Sequence, residues 1–125
     1  MGYYTKFTMS VLDAKTKENI PVELEKEIAE KINSQFFQDW INPENIKESE
    51  YPLDEVFCYE TYKWYTCEED MSEFSKSYPD LIFIIDGQGE EYEDLWQAVI
   101  RNGRYVKDYA EIHLPDVSLN DFLDK

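Results

Sequence analysis

The chain has 125 residues, enough for one hydrophobic core and too few for two. Its 28 acidic residues outnumber 12 basic ones for a formal net charge of −16, a single-sign field that opposes contact with nucleic acid or anionic membranes and favours a basic partner surface. Ten Tyr, seven Phe and three Trp exclude a disordered acidic tail, and the longest strongly apolar run, Leu81-Ile82-Phe83-Ile84-Ile85, falls far short of the roughly 20 residues of a spanning helix.

The first residues, Met1-Gly2-Tyr3-Tyr4-Thr5-Lys6, lack the charged start and apolar stretch of a secretory leader. Lys6 also stands where a myristoylation motif requires Ser or Thr, so a cytoplasmic protein is expected. From Tyr3 to Leu12 the residues alternate, with Thr5, Phe7, Met9 and Val11 on one side, the period of a half-buried strand. Pro21 then opens a helix over 21–37, in which Leu24, Ile28, Ile32 and Phe36 recur at i, i+4 and Glu27 precedes Lys31 in the favourable order. The segment 38–54 holds two prolines and no clean period. It reads as a loop with one helical turn, pinned by Trp40, Ile41 and Ile46.

Val56 to Tyr65 is dense in aromatic and β-branched residues and reads as a second strand. Thr66 and Glu69 fit a capping box, followed by a helix over 67–78 with Cys67, Met71, Phe74 and Tyr78 on one face and Pro79 as its stop. Leu81 to Asp86 is a buried strand ended by Gly87 and Gly89. Leu95–Arg101 and Arg104–Leu114 flank Asn102-Gly103, the strongest short signal for a tight hairpin. The tail 115–125, with Leu119, Phe122 and Leu123, is read as either a docked turn or a loose end. This order gives a single α+β domain over 1–125, with an antiparallel or mixed sheet of about five strands and two helices on one face, close to a ferredoxin-like sandwich.

The stretch from Lys63 to Gly103 carries Lys63-Trp64-Tyr65, Glu68-Glu69-Asp70-Met71, Tyr78-Pro79-Asp80, Gly87-x-Gly89-Glu90-Glu91, Asp94-Leu95-Trp96 and Asn102-Gly103. In that order and spacing it resembles a group of small uncharacterised proteins of phage and prophage genomes. The resemblance implies a phage-like setting in a host cell and assigns no catalytic residues. The first 50 residues carry no such pattern.

Acidity is unevenly placed. Residues 43–94 hold sixteen acidic side chains and three lysines, so −13 of the net −16 lies there. Two clusters stand out as a candidate partner-binding surface: Glu68, Glu69, Asp70 and Glu73 on the second long helix, and Glu90, Glu91, Glu93 and Asp94 in the loop before Leu95. Such a patch can mimic the phosphates of nucleic acid and occupy a basic surface of a host protein, steered there at long range. The expected role is inhibition of a nucleic-acid-handling or defence factor, of the anti-CRISPR or DNA-mimic kind, with no cofactor. The bland alternative is a solvated surface that only keeps the chain soluble. Trp64, Trp96, Tyr62, Tyr65, Tyr105 and Tyr109 suggest an aromatic platform on the open sheet face, or else core.

Other constellations are weak. Asp86-Gly87-Gln88-Gly89-Glu90-Glu91 fails the ligand spacing of a calcium loop and is too acidic for a phosphate loop, which leaves a decorated glycine turn. Cys58 and Cys67 are expected as free buried thiols, and with one histidine they cannot complete a zinc site without carboxylates. His113, between Glu111 and Asp116, allows a general base to be drawn, so a small-molecule binder or hydrolase ranks last, behind a structural module that dimerises through strand edges and aromatics.

Overall fold

A computed structural model describes residues 3–57, 61–91 and 94–111. Five strands, β1 (Thr5–Asp13), β2 (Thr61–Tyr62), β3 (Leu81–Gln88), β4 (Leu95–Arg101) and β5 (Arg104–Tyr109), form one sheet in the order β2-β1-β3-β4-β5. Every neighbouring pair is antiparallel, so the mixed option falls away. Between β1 and β2 lie α1 (Val22–Phe37), α2 (Pro43–Glu48) and α3 (Pro52–Phe57), and α4 (Cys67–Ser75) precedes β3. The described residues thus contain four helices where two were expected.

Period-two alternation decides which face is covered. In β1 Phe7, Met9 and Val11 are buried; Met9 pairs with Ile85 and Val11 with Phe83, and those two pair in turn with Ala98 and Ile100. Ile28, Ala29 and Ile32 of α1, Leu53, Val56 and Phe57 of α3, and Cys67, Met71 and Phe74 of α4 belong to the same core cluster. Full burial of each large apolar side chain contributes about 1.5–3 kcal/mol. The opposite face, with Lys6, Thr8, Ser10, Asp86, Gln97 and Val99, is exposed.

The strand expected over 56–65 is corrected. Val56 and Phe57 belong to α3, only Thr61–Tyr62 is strand, and Cys58, Tyr59 and Glu60 lie outside the described residues. Pro52 suits a first helical turn, and Leu53, Val56 and Phe57 then fall at i, i+3 and i+4. The first-turn N–H of Leu53 donates to Glu25 Oε2 of α1 at 3.2 Å. Seven of the ten residues of 56–65 are apolar or aromatic, so an alternation could be drawn there as readily as a helical spacing. The loop expected over 38–54 likewise contains α2, capped by the Asn42 side chain with Pro43 in its first turn.

The α4 helix ends at Ser75, short of the expected Tyr78. The N–H groups of Lys76, Ser77 and Tyr78 turn to carbonyls three residues back, tightening the chain ahead of Pro79. The expected capping box is also absent. Thr66 makes no side-chain cap, and its hydroxyl donates instead to Asp70 at 2.8 Å. In contrast, the Asn102-Gly103 hairpin is present, with φ of 45° and 83° that suit the two central positions of a type I′ turn. The strand expected to reach Leu114 ends at Tyr109, for Ala110 and Glu111 are not strand, while Ile112–Leu114 and the tail lie outside the described residues. No described helix is long and apolar enough to cross a membrane.

Candidate functional site

The acids of α4 divide by helical face. Cys67, Met71 and Phe74 point to the core, so Glu69 and Glu73, four residues apart, are left on the outer face and exposed. Glu68 sits beside Cys67 and is only 8% exposed. It survives there because β5 delivers Lys107, whose ammonium pairs with Glu68 Oε1 and lies 4.3 Å from the centroid of Trp96 and 5.1 Å from that of Tyr109. Burial opposes the charge on Lys107, but hydrogen bonds to Glu68 and Tyr109 outweigh it and raise the pKa above the ordinary lysine value. Asp70 is half-buried and accepts from Trp64 Nε1 at 2.7 Å as well as from Thr66. Of the four acids expected to face a partner, Glu68 and Asp70 therefore hold the fold together. Glu73 makes a 2.8 Å ion pair with Lys76, both side chains well exposed.

The loop between β3 and β4 is organised by the N-terminal segment. Gly89 N–H donates to Asp94 O and Asp94 N–H to Glu91 O. Tyr3 Oη donates to Asp94 Oδ2 at 2.7 Å and accepts from the Glu91 N–H, while Tyr4 N–H donates to Glu90 Oε2. The hydrogen bond to Asp94 is the main reason the Tyr3 phenol is raised above its ordinary pKa. Gly89 has no side chain because Asp94 and Tyr3 occupy the space: a Cβ there would stand 2.1 Å from Asp94 Oδ2 and 2.3 Å from Tyr3 Oη. Glu90 and Glu91 are exposed, Asp94 is half-buried, and Glu93 lies outside the described residues. Tyr3 N–H also donates to Tyr65 Oη at 2.7 Å, which ties the loop to the segment that leads into α4. Asp86, Gly87 and Gln88 are strand residues, so of the expected glycine turn only Gly89, Glu90 and Glu91 lie beyond β3.

The aromatic platform is divided. Tyr62, Trp64 and Trp96 are buried, whereas Tyr65, Tyr105 and Tyr109 are exposed. By register Tyr105 pairs with Ile100 and Tyr109 with Trp96, which puts both on the helix side of the sheet and corrects the open-face expectation. A shallow concavity of about 480 Å³ does open at the sheet end, where Lys6, Asp86, Gln97 and Asp108 line it and Gln97 Nε2 donates to Asp86 at 2.9 Å. Among the described residues no group of three or more His, Cys, Asp or Glu is placed to hold a metal. Cys67 is a free, buried thiol whose pKa is pushed well up, first by burial and then by the charge of Glu68, which disfavours a nucleophilic thiolate. Cys58 and His113 lie outside the described residues, and with them the expected thiol and general-base readings.

Sequence reasoning missed Tyr3, Tyr4 and Lys107. Each meets its acid across a long stretch of chain, 91 residues for Tyr3 and Asp94, and no local spacing signals such a pairing. No family model matches the chain, and no curated protein or solved structure matches it either.

Proposed function

We propose that this chain is a phage-type protein-binding protein, acting in the host cytoplasm, that uses exposed carboxylates to occupy a basic surface of a host protein and inhibit a nucleic-acid-handling or defence factor. One observation carries the reading. Once Glu68, Asp70 and Asp94 are assigned to internal bonds, Glu69, Glu73, Glu90 and Glu91 still stand exposed, in a region whose net charge is −13. Exposed Tyr65, held by Tyr3 between the two groups in the chain of contacts, supplies an aromatic anchor of the type common at interfaces. The partner is a protein rather than nucleic acid, because the surface would repel phosphates.

The architecture also fits a ferredoxin-like sandwich in its all-antiparallel sheet with apolar helix faces on one side, although the β3-β4-β5 meander is a departure. The test of mimicry is competition. A host protein retained on the immobilised chain should be released by duplex DNA and should lose nucleic-acid binding when the chain is added. Retention that DNA leaves unchanged would refute occupation of a nucleic-acid site.

A further inference from the structure

We propose that the outer edge of β5 is a self-association surface, at which a second copy of this chain pairs antiparallel about Val106. The turn fixes which main-chain groups are free. Asn102 and Gly103 make a two-residue loop, so Arg101 and Arg104 form the hydrogen-bonded pair beside it, and such pairs alternate along an antiparallel ladder. Arg104, Val106 and Asp108 therefore aim their amides at β4, and the Ala110 N–H on Leu95 O at 2.8 Å fixes the same phase. Tyr105 and Lys107 aim theirs outward, where no described strand pairs with them.

The edge is complementary to itself in one register. With Val106 opposite Val106 of the second copy, each Tyr105 meets a Lys107 through the outward amides. On the other face each Arg104 then meets an Asp108 across a non-hydrogen-bonded pair, where side chains come closest. A shift of the second copy one way sets Lys107 against Lys107 and Val106 against Asp108. A shift the other way sets Arg104 against Val106 and Asp108 against Asn102. Only the register centred on Val106 pairs both charges.

Three further features favour this edge. Val106 is 74% exposed, and it ends a cross-strand row with Val99 and Ile84 that self-pairing would continue into the second copy. Edge strands are commonly guarded by a lysine that projects outward. Here Lys107 is folded back onto Glu68 and Trp96. Finally, with Lys107 already paired to Glu68, Arg101 and Arg104 against Asp108 leave the hairpin a small positive balance in a chain of net charge −16, so like-charge repulsion between two copies is reduced there.

The inference does not rest on the host-protein reading, although Glu69 and Glu73 line one concavity with Arg104 and Tyr105 of this edge. Light scattering on the full chain should give a mass twice 15.0 kDa. Val106→Asp and Arg104→Asp should each return it to a monomer with an unchanged circular dichroism spectrum, and adding Asp108→Arg to Arg104→Asp should restore the dimer. A wild-type monomer at every concentration would overturn the proposal, as would a dimer indifferent to these substitutions.

Discussion

Asn33 is the residue whose importance is least apparent from its type. It is fully buried in α1, donates through Nδ2 to Ile41 O at 2.8 Å and accepts from Ile41 N–H at 3.1 Å, so one side chain satisfies both main-chain groups of a residue in the following loop. Asn33→Leu leaves both without a partner and should cost about 2–4 kcal/mol in urea unfolding, since each orphaned buried group costs about 1–3 kcal/mol. Gly87 is governed by its neighbour: a Cβ would stand 2.1 Å from Trp96 Cε2, because the indole lies across the strand. Gly87→Ala should destabilise by about 1–3 kcal/mol of overpacking, and Trp96→Leu in the same chain should recover part of that loss. The apolar stripe of α4 was legible from spacing, but Glu68 and Asp70, on the polar side of that pattern, were not. Their partners Lys107 and Trp64 come from β5 and from the segment ahead of the helix.

At the level of elements, long periodic segments were readable and short ones were not. The alternation of β1, the i, i+4 stripe of α1 and the Asn102-Gly103 turn each rest on a local rule that tertiary packing reinforces. Helices α2 and α3 have six residues each, too short for periodicity to outweigh composition, and α3 draws its stability from Leu53, Val56 and Phe57 packing into the core. Leu53→Ala should therefore cost about 2–4 kcal/mol by chemical denaturation, whereas Tyr51→Ala, at a position 66% exposed just before the helix, should stay within about 0.5 kcal/mol. Equal, small effects at the two positions would contradict a docked helix.

For the whole molecule, the groups with raised pKa values give stability a direction in pH. Cys67 is raised by burial and by Glu68, Tyr78 chiefly by burial, and Lys107 by Glu68 and Tyr109 against a burial effect that opposes them. Each holds its proton more tightly folded than unfolded, so the stability is fully present below the unfolded values and is lost as pH rises through the folded ones. The urea midpoint should fall from about pH 8.5 upward, where an unfolded thiol begins to ionise, and Cys67→Ala should remove the earliest part of that fall. On the acid side Asp13, held down by hydrogen bonds from the Thr16 and Lys15 N–H groups, loses its contribution as pH drops below about 4.

The same scale carries the functional claim. Charge location was legible from residue counts alone, but which carboxylates remain for a partner depended on the contacts of Tyr3, Trp64 and Lys107. The most direct measurement is retention of host proteins from a bacterial lysate by the wild-type chain and by a Glu69→Gln, Glu73→Gln, Glu90→Gln, Glu91→Gln variant, in low salt and then in about 1 M salt, where the Debye length falls to about 3 Å. The wild type should retain a partner in low salt and lose it in high salt, and the variant should fail to retain it in either. A partner held equally by both chains, or held unchanged at high salt, would contradict an acidic binding surface.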